Sequence, residues 1–106
     1  MKIILHVPDA LRIKNAFSNI KNILNGMEGS IDIAVVFNAD AVSGVLEIPL
    51  PEDIPNTQNV DFYLCNNSLI ANQIDVNTIP DSFSIVPVAI IFIIEKQSEG
   101  YVYIRP

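Results

Sequence analysis

The fold is decided in the stretch Val60–Gln73, VDFYLCNNSLIANQ. Val60 to Leu64 is a short apolar run with the β-branched and aromatic content of a strand, and it ends on the only cysteine, Cys65. Asn66, Asn67 and Ser68 follow, each able to start a helix, and Asn67 to about Gln73 is read as that helix. A thiol between a strand end and a helix start meets amide N–H groups and the positive end of a helix dipole, both of which favour the thiolate. A free cysteine is also a small hydrophobe that packs in cores. Position alone leaves both roles open.

Outward from this unit the same alternation repeats. Lys2 to Val7 is apolar except for His6, as expected of a strand covered on both faces. Pro8-Asp9 stops it, and Asp9 is a good N-cap. Ala10, Ile13, Phe17, Ile20 and Leu24 then recur at helical spacing, with Gly26 as the expected C-cap. Ile31 to Phe37 is a second buried strand that ends at Asn38, and Asp40 can cap a short helix to about Leu46. Glu47 to Asn59, with Pro49, Pro51 and Pro55, reads as an irregular exposed connection.

Beyond the cysteine, Asp75 to Asp81 is one further turn and Ser84 to Val86 a brief strand. Val88 to Ile94 is ambiguous. Pro87 suits a first helical position and Gly100 a helix end, but the β-branched residues between them suit a strand equally. Tyr101 to Ile104 closes the chain as a strand.

Strands alternating with helices predict right-handed crossovers and a mostly parallel sheet in an α/β domain. In such sheets ligands gather beyond the carboxyl ends of the strands. The residues at those ends are His6, Asn38 and Cys65, with Asn67 and Ser68 just beyond, so the single imidazole and the single thiol share an edge. These five are the candidate site: Cys65 as nucleophile, His6 as proton partner or orienter, and Asn38, Asn67 and Ser68 as binding groups. The bland roles are a capped strand end for His6 and helix capping for Asn67 and Ser68.

Composition narrows the rest. A chain of 106 residues supports one domain, residues 1–106. Half the residues are hydrophobic and only 17% charged, which points to apolar surface covered by another copy. The net charge is −6, and no Lys or Arg occurs between Asn22 and Glu95. Nucleic acid is therefore not an expected partner. One cysteine forms no internal disulfide, no run is long enough to cross a bilayer, and the start lacks a signal-peptide core. A cytoplasmic protein is expected. One His, one Cys and scattered carboxylates lack metal-ligand spacing, no glycine-rich phosphate loop exists, and no cofactor is expected.

Cys65-Asn66-Asn67-Ser68-Leu69 after a hydrophobic strand, and Lys96 to Ile104 at the C-terminus, resemble the DsrE/DsrF-like family of sulfur-relay proteins, as does the opening with His6 at a strand end. The resemblance implies a three-layer α/β/α sandwich with a mostly parallel five-stranded sheet, Rossmann-like, and makes Pro87 to Glu99 a helix. It implies assembly as a trimer or hexamer, a sulfur donor or acceptor protein as partner, and sulfane sulfur carried as a persulfide on Cys65. The Pro49–Pro55 stretch departs from the family in having less helix. So does the last helix, which is apolar on nearly every side. With Phe92 where a polar residue is usual, it is expected at a subunit interface. Two other readings remain: a non-catalytic module holding a small ligand, and a structural subunit with an inert Cys65.

Overall fold

The computed structural model describes residues 1–53 and 59–106, so Pro55 of the proline-rich connection lies outside the described residues. Five strands, β1 (Lys2–Val7), β2 (Asp32–Phe37), β3 (Asn59–Cys65), β4 (Phe83–Val86) and β5 (Val102–Ile104), alternate with four helices. The helices are α1 (Ile13–Gly26), α2 (Ala41–Leu46), α3 (Asn66–Ala71) and α4 (Ala89–Ser98). The sheet runs β4-β3-β2-β1-β5, and every neighbouring pair is parallel.

Strand order steps one way from β1 to β4 and then returns, so the switch point lies between β1 and β5. One face of the sheet is closed by α1, α2 and α3. There Ile3, Leu5 and Val7 of β1, Ile33, Val35 and Phe37 of β2, and Phe62 and Leu64 of β3 pack against Ile13, Ile20, Val45 and Leu69. The alternate residues face the other way, because side chains in a strand alternate. Ile4, Ala34, Val36 and Cys65 pack beneath Ala89 and Ile93 of α4. That makes three layers, with a single helix as the third.

The local starts and stops follow from side-chain chemistry. Asp9 accepts from the Leu11 amide at 2.9 Å and begins a 3-10 turn, Ala10–Arg12, that leads into α1. Asp40 does not cap α2 as expected; its carboxylate accepts from the Ala10 amide at 3.0 Å and ties the start of α2 to that turn. Gly44 is a contact requirement, because a Cβ there would sit 2.9 Å from Ile13 Cδ1 and 3.0 Å from Ala10 Cβ. Gly26 is the last residue of α1, and extended Met27 caps the helix in its place. Gly100, at φ +94°, ends α4 as expected, with the Tyr101 amide reaching back to the Lys96 carbonyl at 3.0 Å.

The ambiguous segment is helical, but α4 begins at Ala89, with Pro87 just before it. Phe92 is half-buried within its own chain, its ring 4.6 Å from that of Tyr63 and 5.4 Å beneath the Lys96 ammonium. The outward-facing residues of α4 are Ile90, Ile91 and Ile94, each more than half exposed. Glu47 to Asp53 is irregular, with Asp53 paired to Lys21 at 3.2 Å across exposed surface. Among the described residues no helix is long and apolar enough to cross a membrane, and no cluster of three metal-ligating side chains occurs.

Candidate functional site

Cys65 is the last residue of β3 and the N-cap of α3. It lies level with Val86, the last residue of β4, after which the chain turns through Pro87 and Val88 into α4. Its sulfur therefore meets two helix starts. The Ala89 amide, the first of α4, donates to Cys65 Sγ at 3.4 Å. The Asn67 amide of α3 bonds the Pro87 carbonyl at 3.4 Å, fixing the two helix starts to each other.

Burial among apolar neighbours is the largest influence on the thiol and raises its pKa. The Ser68 hydroxyl and the Ala89, Ser68 and Asn67 amides act the other way and together outweigh it, so the thiol lies below its ordinary value. The thiolate is favoured in the folded chain, as the strand–helix junction predicts. Cys65 is nonetheless only 4% exposed. The open thiol expected at a strand end is shielded, because Val86 and Ala89 close over it from the side that β3 alone does not define.

Ser68 is held from the other side. Its Oγ accepts from the Ala39 amide at 2.8 Å, and Asn72 Nδ2 donates to both the Ser68 carbonyl (2.7 Å) and the Ala39 carbonyl (3.2 Å). Ala39 adopts φ +52°, a conformation that costs an L-residue free energy unless its surroundings impose it. These three bonds impose it.

His6 and Asn38 are brought together as the shared edge predicts. His6 Nε2 lies 3.0 Å from Asn38 Oδ1, and Nδ1 lies 2.6 Å from the Tyr103 hydroxyl. An amide oxygen only accepts, so Nε2 carries the proton; the neutral ring then accepts from Tyr103 at Nδ1. The imidazole pKa is lowered, chiefly by burial and further by the nearby Arg105 cation, against the opposing pull of the Asn38 bond. The ring is neutral at pH 7.

His6 makes no hydrogen bond to Cys65, because β2 stands between their strands. Asn67 donates through its backbone, and its side chain projects into solvent. Sequence reasoning missed Tyr103. The available signal was topological: the switch between β1 and β5 brings Tyr103 level with Ile4, on the face that carries His6.

The sequence profile of the DsrE/DsrF-like family matches residues 3–106. The chain belongs to that family. Among solved structures it is similar to a protein of unknown function from Methanobacterium thermoautotrophicum, with a TM-score of 0.78 and 26% identity over 99% of this chain and 98% of the other. No curated protein matches it. As a DsrE/DsrF-like chain it joins a family linked to sulfur relay, and its α/β fold with a five-stranded parallel sheet agrees with the structural neighbour.

Proposed function

We propose that this DsrE/DsrF-like protein carries sulfane sulfur as a persulfide on Cys65. The observation that carries the reading is the junction of two helix starts at the only thiol, with the Ala89 amide donating to the sulfur at 3.4 Å. The Cys65 thiolate attacks the outer sulfur of a donor persulfide. A new S–S bond forms, the donor's S–S bond breaks, and the donor leaves as its thiolate, with no net oxidation. An acceptor thiolate later attacks the outer sulfur on Cys65 and takes it by the same exchange. Donors on two sides of the sulfur stabilise Cys65 both as nucleophile and as leaving group.

Self-association belongs to the same proposal. Ile90, Ile91 and Ile94 of α4 and Val102 and Ile104 of the edge strand β5 are exposed apolar side chains at one end of the sheet, and a second copy is the economical cover for them. Nucleic acid is not proposed as a partner, since the basic residues are few and separated.

One observation favours a second reading, a structural subunit with an inert thiol: Cys65 is 4% exposed. The two readings separate in one experiment, the intact mass of the protein after incubation with inorganic polysulfide. The sulfur-carrier reading expects one added sulfur that a reductant removes and Cys65→Ser abolishes. An unchanged mass, with Cys65 still modifiable after unfolding, leaves the structural reading.

A further inference from the structure

On the α4 face of the sheet, Tyr103, His6 and Asn38 form a diagonal that ends beside Cys65. Tyr103 of β5 is level with Ile4, and its hydroxyl reaches forward to His6, two residues on. His6 is level with Val36 of β2, and its Nε2 reaches forward to Asn38, again two residues on. The Asn38 amide N–H still bonds the Val7 carbonyl at 3.2 Å, so the β1–β2 ladder extends to this residue. Phe37 is paired with Leu64, which places Asn38 level with Cys65 on the adjacent strand, about 5 Å away between backbones.

The Asn38 side chain shares a face with Cys65, because it bonds His6 and Cys65 packs with Ile4 and Val36. Its oxygen is taken by His6. Among the described residues its Nδ2 has no hydrogen-bond partner. In a planar amide that nitrogen points away from the oxygen, hence away from His6. The rest of this face is apolar, where a chain of polar side chains costs stability unless each member is satisfied. The end of β2 cannot drift, since the next residue, Ala39, is bonded to Ser68 and Asn72 on the helix that follows Cys65.

We propose that Asn38 binds the outer sulfur of the Cys65 persulfide through Nδ2, and that His6 and Tyr103 are positioning residues that fix the orientation of its amide. The assignment rests on the sulfur-carrier reading and specifies which groups hold the transferred atom. The persulfide's outer sulfur is anionic near neutral pH, and a side-chain amide is a neutral donor that binds it without trapping it as an ammonium would.

The test loads wild type, Asn38→Leu, Asn38→Asp, Tyr103→Phe and the Asn38→Leu/Tyr103→Phe double variant with polysulfide. It then follows loss of the added sulfur by intact mass. Loss of one bond to a charged sulfur predicts that Asn38→Leu sheds it roughly tenfold faster, and Asn38→Asp faster still, since a carboxylate repels the anion in nearly the same volume. Tyr103→Phe gives a smaller acceleration that disappears in the Asn38→Leu background, because it acts only through that amide. The pH profile of Cys65 alkylation in unloaded protein stays unchanged in Asn38→Leu, which separates the effect from a general loosening of the site. Wild type that loads while Asn38→Leu and Asn38→Asp keep its lifetime overturns the assignment alone, as does an additive Tyr103→Phe effect. Wild type that takes no sulfur overturns both the assignment and the reading beneath it.

Discussion

The two faces of the sheet are built from the same strands and are opposite in character. Under α1, α2 and α3, Leu5, Val35, Phe37 and Leu64 are fully buried, and the rings of Phe37, Phe62 and Phe83 pack at 6.4–6.5 Å. That face holds no ionisable side chain in its core. Under α4 the buried set is smaller, and it shares the face with Cys65, His6, Asn38 and Tyr103. Three helices make a core; one helix leaves room for chemistry at the strand ends and leaves apolar surface unpaired at the edge. The stability of the domain and its function are thus separable by face.

The sharpest contrast comes from substitution on each side. Phe37→Ala empties a site fully enclosed by other rings and is expected to cost about 3–5 kcal/mol, read from the denaturant midpoint of the purified protein. Should it cost less than about 1 kcal/mol, the three-helix face is not the main core. Next in size is Ile91→Glu on the outer side of α4. It leaves the fold of a single chain within about 0.5 kcal/mol, but places a charge in the proposed contact between copies and dissociates it, as light scattering would register. A monomeric wild type at micromolar concentration breaks the comparison there, because the exposed apolar surface would then have no covering copy.

The sequence revealed one face more readily than the other, for a physical reason. Lys2–Val7 emerges with the predicted bounds, and β2, β3 and β4 lie within a residue of them, because alternating burial writes itself into β-branched runs. The last helix was undecidable from Val88 to Ile94, since a helix apolar on most sides carries no 3.6-residue signature. Phe92 was placed at an interface and is instead clamped between Tyr63 and Lys96 of its own chain. Partners distant in sequence decided that, and no local pattern encodes them. The same limit hid Tyr103, which meets His6 across 97 positions. His6, Asn38 and Cys65 were legible because strand ends were legible; the shielding of the thiol by Val86 and Ala89 was not, since it depends on β4 returning beside β3.

The smallest effect expected is electrostatic. The His6 pKa is below its unfolded value, so the folded chain binds fewer protons than the unfolded one in that interval. The contribution is complete above the unfolded value near 6.5 and is lost as pH falls through the window down to the folded value. With the ring partly in water, the loss is about a few tenths of a kcal/mol. Denaturation midpoints at pH 7.5 and 5 are expected to differ slightly more in wild type than in His6→Gln. An equal difference in both would mean that the ring titrates as in the unfolded chain.

The central claim is that the α4 face presents a reactive thiolate, and the rate of iodoacetamide labelling at Cys65 against pH tests it most directly. The account predicts labelling of the folded protein with an apparent pKa below the free-cysteine value of about 8.5, because the Ala89, Ser68 and Asn67 donors outweigh burial. A Cys65 that stays unlabelled across that range until the chain is unfolded would contradict it.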